Sequence, residues 1–118
     1  MLRVTLAASL LAALVFTVAA LASAPPVGPL PKGQVTSIST PKNSLVSVAL
    51  ASRAGKSWRL ARALNSHVLV QVSEANVGNA VVIVYRAVGK GSVSVRYGLT
   101  IGEQRKAYAS ATFNVSVK

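Results

Sequence analysis

From Gln34 to Lys118 apolar and polar residues alternate with a period of two, interrupted at intervals by glycine, proline or asparagine. That period sends successive side chains to opposite faces of an extended strand, one buried and one solvated. Residues 35–39 predict a short strand ending near Pro41. In 45–51, Val46, Val48 and Leu50 share one face, with Ser47 and Ala49 on the other. Trp58 and Leu60 are expected to point inward, and Arg59 and Ala61 outward. Residues 61–64 suit one helical turn. A strand over 67–73 follows, with Val68, Val70 and Val72 on its inner face. The run 80–86, apolar through Tyr85, reads as a central strand. Residues 92–97 alternate through Val93, Val95 and Tyr97, and 108–117 through Ala109, Ala111, Phe113, Val115 and Val117.

About seven short strands, with turns at Gly55, Gly78, Gly89-Lys90-Gly91 and Gly102, predict an all-β, immunoglobulin-like β-sandwich over residues 34–118. No internal repeat and no second domain is visible. The first residues follow a different rule. Arg3 precedes an apolar run rich in Ala, Leu and Val, and Ala20-Leu21-Ala22 and Ala22-Ser23-Ala24 are both cleavage candidates. Residues 1–24 therefore read as a secretory signal peptide. The same run is long enough to be retained as a membrane anchor. Either way the remainder is expected to be exported, secreted or extracytoplasmic, with membrane contact only through this segment if it is uncleaved. Residues 25–33 hold Pro25, Pro26, Pro29 and Pro31, a composition that predicts an extended, semi-rigid linker outside the core.

Composition then narrows the function. Cysteine is absent, so disulfides, thiol catalysis and thiolate metal sites are excluded, and the core alone must hold an exported domain. The acid–base stock is one histidine and two carboxylates, Glu74 and Glu103. Both carboxylates fall in expected loops without a supporting motif, and His67 has no nucleophile elbow to serve. His67 reads as a strand-edge histidine. Three scattered groups are too few for a metal site. Gly89-Lys90-Gly91 lies between two strands and reads as a hairpin turn, not a phosphate loop. We therefore expect no enzyme, no metal and no cofactor. Lys and Arg number 13 against two acids, a net charge of +11, which draws anionic partners. The basic residues are scattered and stacking aromatics are few, so nucleic acid is not expected as a partner.

Binding through loops on a rigid scaffold remains. The expected loops are 52–57, carrying Arg53, Ala54, Gly55 and Lys56; 74–79, carrying Asn76, Val77 and Gly78; and 98–106, carrying Gly98, Leu99 and Thr100. Leu99 and Ile101 either form an exposed apolar contact or continue a strand into the core.

From residue 45 to 117 the spacing resembles the chagasin family of exported cysteine-protease inhibitors. That family carries Asn-Pro-Thr-Thr-Gly-Tyr-x-Trp in its first inhibitory loop, and Ser52-Arg53-Ala54-Gly55-Lys56-Ser57-Trp58 keeps the glycine and the tryptophan at that separation. Ala75-Asn76-Val77-Gly78-Asn79 stands for its glycine-rich central loop. Tyr97 follows Gly89 at the family's spacing, and Phe113-Asn114-Val115-Ser116-Val117 matches its closing Phe-x-Val-x-Val strand. Two elements depart: Lys56 replaces the loop tyrosine, and Gly98-Leu99-Thr100 stands where Arg-Pro-Trp would be. The resemblance implies an immunoglobulin-like sandwich whose loops insert into a papain-like cysteine protease, with Trp58 and Tyr97 as structural anchors. The alternative is a structural or adhesive cell-surface module that binds anionic envelope polymers or other subunits.

Overall fold

Pairing along the chain follows the alternation closely. The computed structural model describes residues 25–118; the signal or anchor expected at 1–24 lies outside the described residues. Seven strands form: β1 (Gln34–Thr40), β2 (Leu45–Ala51), β3 (Ser57–Leu60), β4 (Leu69–Val77), β5 (Ala80–Ala87), β6 (Gly91–Thr100) and β7 (Ala109–Val117). They build two sheets, a four-stranded one in the order β1-β7-β6-β3 and a three-stranded one in the order β2-β5-β4. All neighbours are antiparallel except β1 and β7, which run parallel. This is the all-β immunoglobulin-like sandwich that the patterning predicts.

The inner faces close over one core. Val48 and Leu50 of β2, Ile83 and Tyr85 of β5, Val95 and Tyr97 of β6, and Phe113, Val115 and Val117 of β7 are buried together. In β2 the burial alternates at every residue, as a strand with one solvated face requires. β5 is the central strand of its sheet, between β2 and β4; Ile83, Tyr85 and Ala87 are buried on its inner face, while Val82 and Val84 on the other are only partly covered. The Tyr97 and Phe113 rings meet edge to face, 6.3 Å between centroids at 74°.

β4 departs from its expected pattern. Val70 and Val72 are exposed, and Leu69 is the strand's buried residue. The register shifts between Gln71 and Ser73, leaving Val72 as the extra residue of a β-bulge. A one-residue slip moves every later side chain to the opposite face. Glu74 therefore pairs with the buried Ile83, and Asn76 with Val81, on the side facing the other sheet. Val68 is buried, but in the turn before the strand.

Two further expectations change. No helical turn forms at 61–64; Ala61 instead donates its N–H to the Arg96 carbonyl at 2.8 Å. The turn lies at 66–68, where the Asn65 side chain accepts from the His67 N–H at 3.1 Å, an Asx turn. His67 is exposed in that turn and begins no strand. The proline-rich residues 25–33 are extended but docked on the four-stranded sheet, not a free linker. Gly28 donates to the Arg105 carbonyl at 2.7 Å, and Ser110 Oγ to the Pro31 carbonyl at 2.6 Å. Val27 and Leu30 lie over Gly98, where a Cβ would meet Val27 Cγ1 at 2.7 Å and Leu30 Cδ2 at 3.0 Å. Absence of a side chain at Gly98 makes the seat for this strap.

Candidate functional site

Three connections gather at one end of the sandwich: residues 52–56 between β2 and β3, 78–79 between β4 and β5, and 101–108 between β6 and β7. Register fixes this convergence. Ala51, the last residue of β2, pairs with Ala80, the first of β5, while Ser57, the first of β3, pairs with Thr100, the last of β6.

The first connection is a tight turn. Lys56 donates its N–H to the Arg53 carbonyl at 3.1 Å, and Gly55 has φ 74°. Positive φ at the third position defines a type II turn, where glycine is favoured. Arg53, Ala54 and Gly55 are exposed at its tip. Trp58 closes the turn: its indole Nε1 donates to the Ala51 carbonyl at 2.8 Å, while the half-buried ring packs on the core. The second connection is the Gly78-Asn79 pair, with Gly78 at φ 59°, the geometry of a type II′ hairpin. In the third, Arg59 is a clamp from below. Its Nε donates to Thr100 Oγ1 at 3.1 Å, its Nη1 to the Pro25 carbonyl at 2.8 Å, and its Nη2 to the Gln104 carbonyl at 2.7 Å.

Cross-links join the three. Ser52 N–H donates to the Asn79 carbonyl at 2.8 Å. Lys56 Nζ lies 5.4 Å from the centre of the Tyr108 ring, and Lys106 Nζ lies 4.9 Å from it, both within cation–π range. Between the first turn and β4 opens a cleft of about 370 Å³, lined by Ser52, Lys56, Ser57, Trp58, Glu74, Asn76 and Val81.

The expected site residues thus divide. Lys56, Trp58 and Asn76 share the cleft, with Arg53, Ala54, Gly55 and Gly78 at the adjoining tips. The 74–79 loop contracts to two residues, because β4 runs through Asn76 and Val77; Val77 is 59% exposed beside the tip. The 98–106 loop is also displaced. Gly98, Leu99 and Thr100 complete β6, paired with Ser110, Ala109 and Ser57. Leu99 and Thr100 are 1% and 0% exposed, so they offer no surface to a partner. The alternation of β6 simply continues past Tyr97, and the free loop begins at Ile101, which is 40% exposed. Tyr97 is buried, its hydroxyl hydrogen-bonded to that of Tyr85.

Sequence reasoning missed Tyr108, 43% exposed and held among lysines; the Lys106-x-Tyr108 spacing beside a cationic loop was the available signal. It also missed Glu74, which only the bulge turns into the cleft. Among the described residues no group of three His, Asp or Glu side chains converges as a metal site.

No protein-family model matches the chain, and no curated protein sequence matches it. Among solved structures it is similar to the cysteine protease inhibitor EhICP2 from Entamoeba histolytica, with a TM-score of 0.58 and 12% identity, over 75% of this chain and 99% of that one. At that identity the likeness establishes the shared fold.

Proposed function

We propose that this chain is a protein-binding domain of the cysteine-protease-inhibitor kind, acting outside the cytoplasm by presenting three loops to a papain-like cleft. The single observation that supports this most is the convergence of residues 52–56, 78–79 and 101–108 at one end, cross-linked through Ser52–Asn79 and Lys56–Tyr108. Loops fixed before binding lose little conformational entropy on contact. The shared fold with an inhibitor adds support. In this reading the Arg53–Lys56 turn enters the cleft centre. Gly55 faces open space, with no atom within 4 Å of where a Cβ would sit, and so permits close backbone approach. Gly78 and Tyr108 contact the walls. Chemistry is left to the protease.

Titration of the purified protein against papain-like proteases, read with a fluorogenic peptide, tests this. Inhibition below micromolar concentration is expected, at least tenfold weaker in Gly55→Trp or Tyr108→Ala. Full protease activity at tens of micromolar would refute it.

A further inference from the structure

A second cleft lies on the outer face of the four-stranded sheet beneath the docked strap and takes one lining residue, Arg105, from the 101–108 connection. It has a volume of about 480 Å³ and is lined by Val27, Gly28, Pro29, Leu30, Ala61, Arg62, Arg96 and Arg105. The volume is within the range of small-molecule sites. Its three arginines come from three separate parts of the fold: Arg62 follows β3, Arg96 lies on the outward row of β6 opposite Thr112, and Arg105 lies in the β6–β7 connection. No carboxylate lines the cleft.

These arginines contrast with Arg59 nearby. Arg59 spends its donors on Thr100, Pro25 and Gln104. Among the described residues, Arg62, Arg96 and Arg105 make no side-chain hydrogen bond of that kind. Three like charges around one concavity repel each other, and a low-dielectric wall strengthens the field inside it. Guanidinium forks match phosphate and carboxylate oxygens two at a time. A single carboxylate would leave two of the three charges uncompensated, whereas a phosphate monoester brings about two negative charges and three acceptor oxygens.

We propose that this cleft is a binding site for a phosphate monoester group, held by Arg62, Arg96 and Arg105 with the rest of the ligand against Val27, Pro29 and Leu30. Because the strap forms one wall, its docking and ligand binding are linked: a bound phosphate stabilises the docked strap, and loss of the strap opens the site. The ester has two sources, a soluble sugar phosphate or a lipid headgroup. The lipid source is relevant because the apolar run of residues 4–24 directly precedes the strap.

The test uses the full chain, titrated at constant ionic strength with inorganic phosphate, a hexose monophosphate and vesicles containing phosphatidic acid. Thermal unfolding and phosphorus NMR line-broadening provide the readouts. Phosphate is expected to raise the midpoint above that in matched chloride. Arg62→Gln and Arg105→Gln, both at exposed positions, should each weaken phosphate affinity about tenfold, as expected for loss of one charge-assisted pair. Lys42→Gln and Lys90→Gln, in other loops, should leave it unchanged. Tighter binding of the hexose ester than of inorganic phosphate assigns a soluble ligand; tighter binding to the phosphatidic acid vesicles than to either assigns the headgroup. Equal stabilisation by chloride, or equal phosphate affinity in the arginine variants, overturns the proposal.

Discussion

Replacing Tyr85 by phenylalanine removes one oxygen from the centre of the sandwich and leaves everything else in place. Tyr85 in β5 belongs to the three-stranded sheet and Tyr97 in β6 to the four-stranded one. Their side chains are 0% and 3% exposed, and the two hydroxyls satisfy each other across the core. Phenylalanine at either position deletes a hydrogen bond and strands the remaining hydroxyl away from water, which costs about 1–3 kcal/mol. Removing both hydroxyls leaves no orphan. The double variant should therefore lose less than the two singles together, with a coupling of about 1–2 kcal/mol.

A pH arm adds a second readout. Burial, with a smaller contribution from the negative charge of Glu74, pushes the Tyr85 hydroxyl up to about 12 from the ordinary 10.0. The folded state thus keeps its proton at a pH where the unfolded chain gives it up. That contribution is fully present below pH 10 and is lost as pH rises toward 12, amounting to roughly 2–3 kcal/mol. Urea unfolding followed by circular dichroism, at pH 7 and then stepwise from 9 to 12, measures both effects. Lysine deprotonation acts on both proteins alike, so the difference between wild type and Tyr85→Phe isolates the tyrosine. Strictly additive single costs, or the same alkaline loss in Tyr85→Phe, would refute the reasoning.

Other changes probe the loops and the strap. Gly98→Val should displace Val27 and Leu30, read as faster proteolytic cleavage within residues 25–33 with the sandwich still folded; unchanged cleavage would show that the strap is not seated there. Trp58→Phe loses the bond to the Ala51 carbonyl and should cost roughly 1 kcal/mol in urea unfolding. Gly78→Ala meets open space but keeps φ 59°, so it should cost about 1–2 kcal/mol through backbone strain alone. Gly89→Ala should cost more, since its Cβ would fall 2.1 Å from the His67 carbonyl oxygen; the order of the two midpoints checks the argument. Trp58, the chain's one tryptophan, lines the loop-end cleft, and its emission should shift when a protease binds.

The cleft between the first turn and β4 shows how far sequence reasoning reached. The Arg53–Lys56 turn was legible, because Gly55 sits where a type II turn needs positive φ and Trp58 follows at the point of re-entry to the core. Asn76 was legible as a residue near the site but not as a strand residue, since β4 continues to a hairpin of two residues. Gly98, Leu99 and Thr100 were misplaced for a related reason. A glycine ordinarily marks the end of a strand, but here Gly98 continues β6 and is covered by Val27 and Leu30 from a segment about 70 residues earlier in the chain.

Local alternation determined the strands, their inner faces in β2, β6 and β7, and hence the sandwich, because a period of two can be buried only as a sheet face. Composition determined that the chain lacks thiol chemistry. Tertiary structure alone decided the rest. One extra residue at Val72 reversed the faces of β4 and turned Glu74 and Asn76 toward the cleft. Strand order placed three connections at one end, and hydrogen bonds from Arg59 and Ser110 laid the proline-rich segment against the sheet. Arg62, Arg96 and Arg105 became neighbours only through that packing. Each of these outcomes depends on contacts between residues far apart in sequence, which no local pattern encodes.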